Sequence, residues 1–244
     1  MASVVQVGQN VGIGSNLTVT MPGSTTGGNA LVGLVFTAGS TNGTVTGITL
    51  GGSAGNWAAE ASQGSGSDHA LLTCWSDPSC AGGQTSVVIT TNGPGGQTAL
   101  AWVFEVSGLL AAGPLLDKSA GVSSSGFVAS WTLGPTATTT QASEIWLAIA
   151  GGSVSGTTAG TLTGPSSPWT NQAQQSQVNG SFTQGVISGY QVVSSTGTAS
   201  YNGSSSPNST IEGLVVTLKA LAPPVPVPAR QRSGPARARF WSPR

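Results

Sequence analysis

The sequence predicts an all-β protein: a two-layer antiparallel sandwich of jelly-roll-like form with an internal pseudo-duplication, followed by an extended Pro/Arg-rich C-terminal tail. Three observations carry this expectation. Val, Ile, Leu and Trp recur in strand-length blocks separated by clusters of Gly, Asn, Pro and Ser. Within many blocks Thr and Val alternate, which suits a pleated surface with one buried face. No segment sustains a glycine-free apolar i, i+3, i+4, i+7 pattern, so helix should be nearly absent. Gly, Ser and Thr fill 100 of 244 positions, but 38% of residues are hydrophobic, enough to build a core and to argue against wholesale disorder.

The blocks read in order as strands at 4–7, 17–20, 30–36, 45–50, 69–75, 86–91 and 98–106. A second series follows at 129–133, 144–150, 160–162, 182–193, 198–201 and 210–218. The two series resemble each other. NLTVTMPGSTTGGNALVGLVF (Asn16–Phe36) and SWTLGPTATTTQASEIWLAIA (Ser130–Ala150) share the order strand, Pro turn, Thr-rich link, long apolar strand. Trp57 and Trp169 lie 112 positions apart, as do Thr98 and Thr210, which open TALAWVFEV and TIEGLVVTL. Such offsets favour two half-motifs, about 10–110 and 125–220, within one sandwich domain over 1–222. The short link between them, Leu109–Phe127, and the thin core that about 110 Gly-rich residues would form alone argue for one shared sandwich.

Charge divides the chain. Seven basic and seven acidic residues cancel overall, yet all five arginines fall after position 229. The body therefore carries −5 and the end of the chain +5. Residues 223–244, PPVPVPARQRSGPARARFWSPR, contain six prolines and no acid, a composition that favours an extended polyproline II conformation. Arg230, Arg232, Arg237, Arg239, Phe240 and Trp241 make this segment a candidate partner-anchoring tail, because Arg, Trp and Phe are enriched in interface hot spots. Five arginines without a lysine are a weak signal for nucleic acid. The apolar runs are strand-sized, so no membrane span is expected. The start, MASVVQVGQN, lacks the basic and apolar regions of a secretory signal.

Few residues suggest chemistry. His69 is the sole histidine and stands in no nucleophile-elbow context, so a surface or turn role is expected. The acids Glu60, Asp68, Asp77, Glu105, Asp117, Glu144 and Glu212 form no closely spaced pair on one strand face. Isolated strand-end acids that aid solubility are expected, and Glu144 and Glu212 would meet only through sheet pairing. No metal-ligand spacing is present and no cofactor is expected. Cys74 and Cys80 bracket WSDPS and are either a loop-closing disulfide or two free thiols. Trp57 and Trp169 are read as structural plugs at corresponding turns, with sugar stacking as the alternative.

The series ITLGGSAGNW, HALLTCWSDPSCAGGQTSVVITT and TALAWVFEVSGLLAAGPLLDKSA resembles the Gly/Ser/Thr-rich β-sandwich domains of tailed-bacteriophage virion proteins, particularly those of phages infecting high-GC actinobacteria. The resemblance covers roughly residues 10–220 and supplies no catalytic residues. It implies a non-enzymatic virion structural protein, either a capsid decoration or minor capsid protein or a minor tail protein. Such a protein would be assembled in the host cytoplasm and exposed on the particle. The expected partners are the major capsid or other virion proteins, through the tail, and further copies of the same chain. A carbohydrate-binding or adhesion module engaging host glycans is the alternative.

Overall fold

The computed structural model describes residues 1–39, 43–64, 69–93, 96–156, 158 and 160–221. The described residues form sixteen strands, all paired antiparallel, and no helix. Those of the first half are β1 (Ser3–Ile13), β2 (Asn16–Thr20), β3 (Ala30–Ala38), β4 (Val45–Leu50), β5 (Ala58–Gly64), β6 (Leu71–Asp77), β7 (Ser86–Thr91) and β8 (Thr98–Ser107). The second half holds β9 (Leu116–Ser123), β10 (Val128–Leu133), β11 (Glu144–Ser155), β12 (Thr161–Thr163), β13 (Thr170–Asn171), β14 (Gln175–Asn179), β15 (Phe182–Val193) and β16 (Tyr201–Lys219).

In the first half a five-stranded sheet, β1-β8-β3-β6-β5, faces a three-stranded one, β2-β7-β4. The second half repeats this order around β16. Over Glu212–Leu218 this strand pairs with β9, and over Thr210–Lys219 with β11, which in turn pairs with β15. Its earlier part lies between β10 and β12. Pro207, which cannot donate to a ladder, falls where β16 passes from one set of partners to the other. Register agrees as well. Val4 faces Val106 and Leu116 faces Leu218, with a bulge one residue later in β1 (Val5) and in β9 (Asp117), all 112 positions apart.

Three apolar clusters explain the layering. One fills the first sandwich, with Val19, Leu31, Val35, Ile89 and Val103 at its centre. Another fills the second, with Leu133, Ala148, Tyr201 and Val215. The third lies between the five-stranded sheet of the first half and the β9-β16-β11-β15 part of the eight-stranded sheet of the second: Leu34, Phe36, Leu72, Trp102 and Phe104 meet Ile145, Leu147, Ile149, Val216 and Leu218. Successive strand residues point to opposite faces, so β3, buried at every position, contributes Leu31 and Val35 to one cluster and Val32, Leu34 and Phe36 to another. The expected single pair of layers is therefore replaced by four, the larger layers of the two halves lying face to face. Central strands such as ALVGLVFTA are apolar on both faces, and each demands cover on both sides.

The strands missed in the sequence are β5, β9, β13 and β14. Each is short or carries few aliphatic side chains, and β9 occupies the stretch expected to be a link. The separate strands expected at 198–201 and 210–218 fall at the two ends of one long β16.

Between the facing sheets, Phe36 lies over the backbone of Gly151, where an added Cβ would overlap its ring. Small size at Gly151 thus sets how closely the halves approach. Gly151→Ala should lower the free energy of unfolding in urea by about 1–3 kcal/mol through overpacking. Gly47→Ala, which meets nothing within 4 Å, should change it by no more than about 0.5 kcal/mol. Equal effects at the two positions would contradict the close approach of the sheets.

Candidate functional site: a cleft opposite the chain termini

The long central strands run between two poles. At one pole Ser3 pairs with Ser107, and the Leu221 N–H donates to the Gly108 carbonyl, so the start of the chain and the root of the tail emerge together. At the other pole lie Ala38, Thr98, Ser155, Phe182 and Thr210, the opposite ends of β3, β8, β11, β15 and the paired part of β16. The ten residues of extended strand from Thr98 to Ser107 separate the poles by about 30 Å.

Several acidic side chains lie near the tail pole, Glu212 lies toward the other, and those described are turned inside the protein rather than onto its surface. Glu105 is fully buried and accepts from the Asn29 side-chain amide at 2.6 Å, the Thr26 N–H at 2.9 Å and the Gln6 amide. Burial opposes its ionisation, but these donors outweigh burial and hold the carboxyl below its ordinary range. Glu60 accepts from Ser76 and, at 3.3 Å, from the Leu116 N–H, joining β5 to β9 across the two halves. Asp77 and Glu212 are also buried, and Ser123 donates to Glu212 at 2.9 Å. The expectation of solubilising strand-end acids is corrected here. Gly-rich loops leave backbone N–H groups facing inward, and these carboxylates accept from them.

A second carboxyl joins this set by way of the β9 bulge, which turns Asp117 inward. Asp117 accepts from the backbone N–H and the hydroxyl of Thr140, with Lys118 at 3.6 Å and Lys219 at 4.0 Å. It also contacts Glu144. The Trp146 indole N–H donates to Oε2 of Glu144 at 3.1 Å, while Oε1 receives no N–H or O–H. A proton held by Glu144 toward Asp117 satisfies both groups. Burial pushes Glu144 up to about 7, against the pull of Trp146, and the adjoining Asp117 adds to the rise. Burial likewise opposes the charge on Asp117, but its hydrogen bonds from Thr140 and Glu144 bring its carboxyl down. Glu144 and Glu212 do not meet, because they stand opposite Lys219 and Gly151, seven positions or about 23 Å apart along one ladder.

The remaining expected residues are structural where they are described. Trp169, 9% exposed, packs edge-on against Tyr201, with ring centroids 4.9 Å apart. Trp57 packs against the first-sandwich cluster. Each immediately precedes a strand, β13 after Trp169 and β5 after Trp57. Cys74 and Cys80 are not bonded to each other. Both are buried free thiols, Cys74 in the cluster between the sheets and Cys80 in the first-sandwich cluster. Burial pushes the Cys74 thiol up, helped by Glu60. Burial takes Cys80 up to about 11, with Glu105 and Asp77 contributing. Arg230, Arg232, Arg237, Arg239, Phe240 and Trp241 lie outside the described residues, as does Asp68.

The concave feature best suited to a ligand is at the pole opposite the tail. A cleft of about 600 Å³ opens between the two halves, with Gly39, His69 and Gly96 on the first and Ser153, Phe182 and Thr210 on the second. Asn179 Nδ2 spans it, donating to the Gly96 carbonyl and, at 3.1 Å, to the Thr98 hydroxyl. Thr98 in turn donates to Gln184 Oε1 at 3.4 Å. His69 holds a left-handed backbone conformation (φ 49°) at this rim. Sequence reading named His69 but not Phe127, Asn179, Phe182 or Gln184. Phe127 and the hairpin that carries the other three are two separate segments of the second half, and only the packing of one half on the other places them beside His69. Among the described residues no group of three or more His, Cys, Asp or Glu side chains is placed to hold a metal ion.

The proton on Glu144 makes stability depend on pH. A carboxyl raised in the folded protein stabilises fully below its ordinary range, and that contribution is lost as pH climbs through about 7. The urea midpoint should therefore fall between pH 5 and pH 8, with a slope of at most ~1.4 kcal/mol per pH unit. Glu144→Gln, whose amide still donates to Asp117, should flatten that fall; an unchanged slope would remove the shared-proton assignment. Both thiols should resist a water-soluble thiol reagent until the protein unfolds, and rapid labelling of the native protein would contradict their burial.

No known protein family, no curated protein and no solved structure matches the chain.

Proposed function

We propose that this chain is a non-enzymatic structural protein of a tailed-bacteriophage particle, in the first place a capsid decoration or minor capsid protein. Its β body projects from the particle surface, and residues 223–244 grip the major capsid protein or another virion component. The observation that carries this reading is the polarity of the body. Both the start of the chain and the root of the tail sit at one pole, and the cleft opens at the other. A segment attached at that pole holds the body end-on, with the cleft facing away from the support. The motif resemblance over roughly residues 10–220 supports the same reading.

The body itself is the product of a tandem duplication. Support comes from the repeated strand order of the two halves, from the shared 112-residue offset of Trp57 with Trp169, and from the coincident bulges in β1 and β9. Homo-oligomers are expected on the particle, since a low-charge surface sets up little repulsion between copies.

Deleting residues 223–244 should leave a soluble, folded body with an unchanged urea midpoint that no longer co-sediments with particles. Full incorporation of the truncated chain would overturn the anchoring role.

A further inference from the structure

We propose that the cleft between the two halves binds an uncharged oligosaccharide, with Phe127 and Phe182 as its stacking surfaces and Gln184 as its central polar contact.

Two features show that the cleft is more than a gap left by packing. Phe127 and Phe182 are 58% and 52% exposed, although each lies in a molecule with ample apolar core to receive it. Both line the same concavity. Gln184 is the second feature. It is 6% exposed and reaches the lining, but only its carbonyl oxygen is engaged, by Thr98. Its Nε2 donates to nothing among the described residues. A nearly buried amide with an unused donor facing a cleft is poised to donate to a bound acceptor.

The lining selects the class of ligand. Among the described residues it contains no Lys, Arg, Asp or Glu; an ammonium would find no counter-charge there, and a phosphate or carboxylate would find only the His69 imidazole at the rim. A wholly apolar ligand would strand the Gln184 amide and the hydroxyls of Ser153 and Thr210 against hydrocarbon. What fits both kinds of surface is a neutral molecule with a C–H face and a hydroxyl rim. The negative faces of phenyl rings attract the positive C–H groups of a pyranose or furanose, while amide and hydroxyl groups pair with the ring hydroxyls. The volume of about 600 Å³ suits a short oligosaccharide rather than a macromolecular surface. Both sandwiches supply lining residues, so the site exists only in the assembled pair.

The test uses the full chain on an array carrying neutral and acidic oligosaccharides, followed by calorimetric titration of the strongest neutral glycan. The expected result is binding confined to neutral glycans and weakened at least tenfold in the Phe127→Ala/Phe182→Ala double variant. Both rings are exposed, so its urea midpoint should stay unchanged. Gln184→Leu should weaken binding independently. Trp57→Ala and Trp169→Ala, which touch the sandwich cores, should affect binding only as far as they unfold the body. Absence of binding to any neutral glycan at millimolar concentration would overturn the assignment. Binding to acidic glycans alone, or binding indifferent to the double variant, would do the same. Incorporation into particles is a separate readout, so failure here leaves the anchoring role standing.

Discussion

The cluster between the facing layers of the two halves is the constraint on which the rest of the structure depends. β3, β8 and β11 are buried on both faces, and none of these strands has a face that tolerates water. Within each half a smaller layer covers one face of the larger, and the other half must cover the remaining face. Trp102, Phe104, Phe36, Ile145 and Leu147 interdigitate there. Fully burying one such side chain contributes on the order of 1.5–3 kcal/mol. Neither half would be expected to stand in water with that face bare, so two sandwiches behave as one body. The glycine at position 151 belongs to the same constraint, because the ring of Phe36 takes the space a side chain would need.

Polar groups are arranged around that apolar frame with few charges. Loop segments near the tail pole turn their N–H groups inward, and buried carboxylates accept from them: Glu105 from Thr26, and Asp117 from Thr140. Thr26 and Thr140 occupy matching loops ahead of β3 and β11, yet the carboxylates come from different strands, β8 in one half and β9 in the other. The acidic excess of the described body is thus largely internal. This alters what the opposite charges of body and tail mean. The body offers few surface acids to draw the arginines of a neighbouring copy, so attachment through residues 223–244 calls for a partner that brings its own complementary surface. It also calls for hydrophobic contact by Phe240 and Trp241.

Function follows from the poles. Strands about 30 Å long separate the root of the tail from a cleft lined by aromatic rings, amides and hydroxyls. An attached body would present this cleft outward, and the glycan-binding alternative therefore complements anchorage rather than competing with it. Trp57 packs against the first-sandwich cluster and Trp169 belongs to the second. The exposed aromatic surface is supplied by two phenylalanines in segments that carry no motif.

Much of the fold was legible in the sequence because strand periodicity is local. Alternating Thr and Val, apolar runs of strand length and Gly/Pro punctuation identify β2, β3, β4, β7, β8 and β15 nearly to the residue. Strands such as β5 and β14 escaped because edge strands need few apolar residues, and β9 escaped because its Asp and Lys suggest a link. The layer count was misjudged for a related reason: a run apolar on both faces reveals that it is doubly covered but not by what. Asp117 beside Glu144, and Phe127 beside Phe182 and Gln184, lie beyond any sequence pattern, since each set joins segments far apart in the chain. Sequence by itself determined an all-β body with few charges, followed by a Pro/Arg-rich basic segment. The tertiary structure alone decided that the halves stack face to face, that the acids lie inside, and that a neutral cleft opens opposite the tail. Periodicity is written residue by residue, whereas the meeting of two sheets depends on how both faces of each are covered at once.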